Sequence, residues 1–87
     1  MDQYHFYILY SSKLDKYYVG HTVNLKERLK KHNTNHSGYT GKANDWEVVF
    51  LQAFHSKEGA YKRELEVKKW KSRKRIERLI GSEHPDF

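Results

Sequence analysis

Apolar and polar positions along this chain divide it into six segments. Residues 4–10, Tyr-His-Phe-Tyr-Ile-Leu-Tyr, form an aromatic and β-branched run bounded by Ser11-Ser12, the pattern of a strand. Residues 17–22, Tyr-Tyr-Val-Gly-His-Thr, form a second run, and the polar stretch between the two suits a hairpin. The period then changes. Leu25 and Leu29 make an apolar stripe, Asn24 stands at an N-cap with Glu27 three residues on, and Lys30-Lys31 lie where a helix macrodipole favours cations. Residues 33–45 are turn formers without periodicity, a long connection for a chain of this size. Trp46–Phe54 reads as a third strand around Val48-Val49-Phe50-Leu51. Ser56 caps a predicted helix over 57–70, and a last helix starts near Ser72 with Ile76, Leu79 and Ile80 at helical spacing, ended by Gly81 and Pro85. The predicted order is β-β-α-β-α-α, with no internal repeat and no interdomain linker.

Two places break the pattern. On the 57–70 helix, at about 100° per residue with Ala60 at zero, Val67 falls near about 340°, Tyr61 near about 100° and Leu65 near about 140°. Glu64 falls near about 40°, in the middle of that apolar arc. A carboxylate aimed at a core is costly unless it is paired with a cation or holds a metal. A structural ion pair with another element is the ordinary explanation, and metal ligation the chemical one. On the first helix, Arg28 and His32 are four apart and therefore neighbours on one face. They border the Leu25/Leu29 stripe and point toward the edge of the sheet or its surface. Among the tyrosines, Tyr7 lies mid-strand and Tyr18 directly precedes Val19-Gly20, where a glycine inside a strand marks a bulge or a close backbone approach.

Composition narrows the function. The chain has 87 residues, 13 of them aromatic, which is too aromatic for a disordered tail. Absence of cysteine excludes disulfide scaffolds, thiolate zinc sites and cysteine nucleophiles. No stretch approaches the ~20 apolar residues of a membrane span, and the N-terminus lacks the basic-then-apolar pattern of a leader. The expectation is a soluble cytoplasmic domain with no membrane partner. Lys and Arg number 17 against 11 Asp and Glu, a formal charge of +6. The excess lies in residues 57–78, which carry ten basic and four acidic side chains. By itself such a run is most simply a solvated helix face, but the overall balance favours an anionic partner, above all nucleic acid.

Taken together, these residues resemble the GIY-YIG nuclease superfamily, most closely its small standalone bacterial single-domain members, over nearly the whole chain. The first motif falls on His5-Phe6-Tyr7, which keeps only the tyrosine, and the second on Tyr18-Val19-Gly20, with Val for Ile. The family's N-cap, helical Arg and a His or Tyr four residues later fall on Asn24, Arg28 and His32. Its metal-binding Glu, in a later helix before a Lys-rich segment, falls on Glu64 of Ala60-Tyr61-Lys62-Arg63-Glu64-Leu65-Glu66-Val67-Lys68-Lys69-Trp70-Lys71. Element order and resemblance lead us to expect an α/β fold of the α+β type, a small three-stranded antiparallel sheet flanked by helices, as a single domain over 1–87.

The resemblance implies a metal-dependent endonuclease that hydrolyses DNA phosphodiesters with low sequence specificity or selectivity for a DNA structure. The alternative is a non-catalytic nucleic-acid-binding module that kept the fold. One Mg²⁺ or Mn²⁺ ion is implied, with Glu64 as its ligand; Mg²⁺ accepts one protein carboxylate with waters and phosphate oxygens completing its octahedron. Arg28 suits phosphate clamping through its planar fork. Tyr18 is the candidate for taking the water's proton, His32 is the other candidate base, and Tyr7 orients the water or Tyr18. His21 follows the second motif and is a candidate phosphate contact. Tyr39, Thr40 and Lys42 in the long connection, and Lys68, Lys71, Arg73, Lys74 and Arg75 in the basic segment, are candidates for holding the nucleic-acid backbone. DNA is the expected partner, RNA is not excluded, and a partner protein or homodimer is an open expectation.

Overall fold

A computed structural model describes residues 3–34 and 43–82, and its elements follow in the expected order. Strand β1 (Tyr4–Ser11) pairs antiparallel with both β2 (Lys16–Thr22) and β3 (Glu47–Phe54), so the sheet order is β2-β1-β3. Three helices, α1 (Leu25–His32), α2 (Lys57–Trp70) and α3 (Arg73–Ser82), complete the α+β fold. The central strand takes the most apolar run because it is flanked on both edges: Phe6, Tyr7, Ile8 and Leu9 are all buried. Alternation along the strand then separates two cores. Phe6 and Ile8 face Val19, Phe50 and the α2 residue Val67, with Ile76, Leu79 and Ile80 of α3 packed against them. Tyr7 and Leu9 face the other way, with Trp46, Tyr18, Leu25 and Leu29.

A register shift in the β1–β3 ladder, Ile8 opposite Phe50 but Leu9 opposite Val48, leaves Val49 as an extra residue. Val49 and Phe50 both contribute to the first core, and Val48 and Leu51 to the second.

Local chemistry sets the ends of the elements. Asn24 accepts from the Glu27 amide at 3.1 Å and donates to the Glu27 carboxylate at 3.0 Å, which fixes the start of α1. Ser56 accepts from the Gly59 amide at 3.1 Å and starts α2. Lys71, with φ of 47°, ends α2 in the left-handed region. The β1–β2 hairpin turns through Asp15, also left-handed at φ 54°. Its carboxylate accepts from Tyr10 Oη and from Arg73 of α3, both at 2.6 Å, so α3 is tied to the hairpin.

The helical wheel of α2 needs one correction. Its buried face is Ala60 and Val67, and Tyr61 and Leu65, placed in the same arc by the sequence pattern, are 48% and 39% exposed. The sheet is narrow, so α2 offers it only a thin stripe. Glu64 therefore lies at the border of the buried face and not at its centre.

Candidate active site

Tyr7 and Gly20 are directly opposite across the β1–β2 ladder. A Cβ built on Gly20 would stand 2.6 Å from Tyr7 Oη and 2.7 Å from Cζ, so the phenol occupies the volume where any other residue would keep its side chain. The glycine in the strand thus marks a close approach, as its position in the pattern indicates.

Around that phenol the structure assembles a cluster from three elements. Tyr7, from β1, is 1% exposed and its Oη lies 3.0 Å from Nε2 of His32, the last residue of α1. Arg28, one turn earlier on α1, hydrogen-bonds the same phenol. Tyr18 of β2 packs its ring on His32, with centroids 4.7 Å apart, and lies 6.4 Å from the ring of Tyr7. Trp46 closes the far side at 6.5 Å from Tyr18. Burial, opposed by the Arg28 hydrogen bond, pushes the Tyr7 hydroxyl up to about 12. The guanidinium is raised in turn, chiefly by its bond to Tyr7. The Tyr7 hydroxyl accepts from the Arg28 guanidinium and shares a hydrogen bond with His32 Nε2, so one phenol links Arg28 to His32.

Glu64 approaches from the α2 side. Its side chain is 12% exposed; Oε1 lies 2.6 Å from His21 Nδ1 and Oε2 lies 2.6 Å from Lys68 Nζ. His21 belongs to β2, and its ring lies against Tyr61 with centroids 5.4 Å apart. The negative charge of Glu64 reaches the phenol cluster, since it contributes to the upward shifts of both Tyr7 and Arg28. The donor set suits a hard divalent ion: one recessed carboxylate, already neutralised by cationic or hydrogen-bonding groups, with an edge left for waters and phosphate oxygens. Among the described residues no group of three His, Asp or Glu side chains gathers as a metal cage, which is compatible with an ion held by a single carboxylate.

The basic segment divides in two. Arg73 donates to Asp15 at 2.6 Å and to Glu77 at 3.1 Å, and lies over the Tyr17 ring at 5.3 Å. Arg75 lies over Trp70 at 4.5 Å. Like Lys71 and Lys74 both residues are exposed, but the two guanidiniums are engaged with groups of the protein itself. Tyr39, Thr40 and Lys42 lie outside the described residues.

One residue escaped the sequence pattern. Asn33, the C-cap of α1, accepts from the Trp46 amide at 2.8 Å and donates to the Trp46 carbonyl at 3.0 Å. This two-bond clasp closes the connection between α1 and β3 and sits next to His32. An asparagine at a helix C-cap is the only local signal, and it does not name a partner 13 residues away.

Comparison with known proteins follows the same lines. The family model of the GIY-YIG catalytic domain matches residues 3–77. A UPF0213 protein of Natronomonas pharaonis is 32% identical over 80 residues, spanning 91% of this chain and 93% of the relative. Another, from Staphylococcus saprophyticus, is 30% identical over 77 residues, spanning 87% and 93%. The solution NMR structure of a UPF0213 protein from Bacillus halodurans aligns with a TM-score of 0.60 at 32% identity, covering 97% of this chain and 88% of that one.

Proposed function

The chain belongs to the GIY-YIG family, and from that membership and the site geometry we propose that it is a divalent-metal-dependent endonuclease acting on DNA phosphodiesters. The observation that carries this reading is Glu64, recessed to 12% exposure, held by His21, and within electrostatic reach of Tyr7 and Arg28. His21 and Lys68 also give Glu64 the partners of a structural ion pair, and membership of the family is what favours the metal-binding reading over that one.

In this reading Glu64 holds one Mg²⁺ or Mn²⁺ ion, which when bound supplies Lewis-acid cover for the leaving oxygen. The chain's own residues do the rest. Arg28 turns its guanidinium to the non-bridging oxygens, where it stabilises the charge that grows in the transition state. Tyr7 is sealed beneath Gly20 and keeps its proton, so it acts as the bridge that fixes Arg28 against His32. Tyr18 is half-buried where Tyr7 is closed off, and it is the phenol that a water can reach. It takes the water's proton, with His32 packed on its ring to hold it in line. Backbone contacts come from the exposed lysines Lys71 and Lys74. They position the strand without reading bases, which suits low sequence specificity or selection of a DNA structure.

Incubation with supercoiled plasmid tests the reading. Nicking is expected with Mg²⁺, none with EDTA, and a loss of at least about a hundredfold in Glu64→Gln with plasmid binding retained. Equal nicking by the variant and the native protein removes the catalytic assignment, and binding without nicking under all metals favours the binding-module alternative.

A further inference from the structure

The two oxygens of Glu64 have partners of different character. Oε1 meets His21, whose ring is half-buried and packed on Tyr61, so that contact is anchored. Oε2 meets the ammonium of Lys68, one turn further along α2, whose side chain is 48% exposed and free to swing into solvent. Exposed i,i+4 ion pairs contribute little and exchange readily. An ammonium is also a compact, strongly hydrated point charge. Among side chains it most closely matches a small cation seated on a carboxylate oxygen.

We propose, resting on the nuclease reading above, that Lys68 is a placeholder for the divalent ion. Its ammonium occupies Glu64 Oε2 in the metal-free protein and leaves that oxygen when the ion is bound, so that the two compete for one position. The recessed carboxylate is then never uncompensated, which matters because an unpaired charge at a partly buried place is costly. The same competition sets the free metal concentration at which the site fills. His21 has the opposite part: it stays on Oε1 and keeps the carboxylate aimed.

Mn²⁺ binding to the full chain, followed by the electron paramagnetic resonance signal of the free ion at 0.15 M salt, tests the competition without any activity readout. Lys68→Met is expected to lower the Mn²⁺ Kd roughly two- to fivefold, the scale of an exposed ion pair. Lys69→Met removes the same charge one residue along without touching Glu64, and is expected to leave the Kd within about 1.5-fold because salt screens its field. Glu64→Gln abolishes the binding in both backgrounds. An unchanged or weaker Kd in Lys68→Met overturns the placeholder role, as does an equal tightening in Lys69→Met, which reduces the effect to net charge. In either case Glu64-dependent Mn²⁺ binding would still stand, and with it the nuclease reading. Native protein without Glu64-dependent Mn²⁺ binding overturns both.

Discussion

Tyr7 illustrates how a residue's surroundings redirect its chemistry. A phenol beside an arginine ought to ionise more easily, yet burial outweighs the guanidinium and raises the group to about 12 from its ordinary 10. The sign of the linked stability follows. Below pH 10 the hydroxyl is protonated whether the chain is folded or unfolded. Between pH 10 and 12 the unfolded chain loses the proton first, so the folded state binds more protons and its stability falls as pH rises. A shift of this size amounts to on the order of 2 kcal/mol. Denaturant midpoints measured at pH 9 and pH 11.5 are therefore expected to drop more in the native protein than in Tyr7→Phe, which has nothing to titrate there. Equal drops would mean that the phenol ionises normally and is not sealed.

At the scale of elements, the sheet and helices were legible because periodicity and caps are local signals. Asn24 with Glu27, and Ser56 with Gly59, cap where the sequence places them, and the elements begin and end within a residue or two of the expected positions. The face that α2 buries was less legible. Ala60 and Val67 are buried as expected, but Tyr61 and Leu65 are not, because how wide a stripe a helix hides depends on the surface opposite it. The Asn33–Trp46 clasp likewise depends on where two distant segments meet. Asn33→Ala removes both of these hydrogen bonds from the part-buried Trp46 backbone. It is expected to cost about 2 kcal/mol in urea denaturation. A loss below about 0.5 kcal/mol would show that solvent replaces the clasp.

Across the whole molecule, the +6 charge is less concentrated on a free surface than the sequence suggests. Arg73 is spent on Asp15, Glu77 and Tyr17, and Arg75 lies on Trp70. Lys71 and Lys74 are the better candidates for backbone contact. Charge reversal of both is expected to weaken binding of a short DNA duplex and to reduce the slope of log affinity against log salt by about 2. Unchanged affinity and slope would return the segment to a solvated face.

By itself the sequence determined the element order and the caps, and with them that Tyr7 and Tyr18 lie on strands, Arg28 and His32 one turn apart on a helix, and Glu64 on a partly apolar helix face. These are properties of neighbours along the chain, and spacing records them. Only the tertiary structure decided that Tyr7 lies under Gly20 and bridges Arg28 to His32, that His21 and Lys68 share one carboxylate, and that Arg73 holds a hairpin. Apart from the Lys68–Glu64 pair, one helical turn apart, those facts depend on strand register and helix docking, which bring together residues as far as 58 positions apart, and no local pattern encodes which of them will touch.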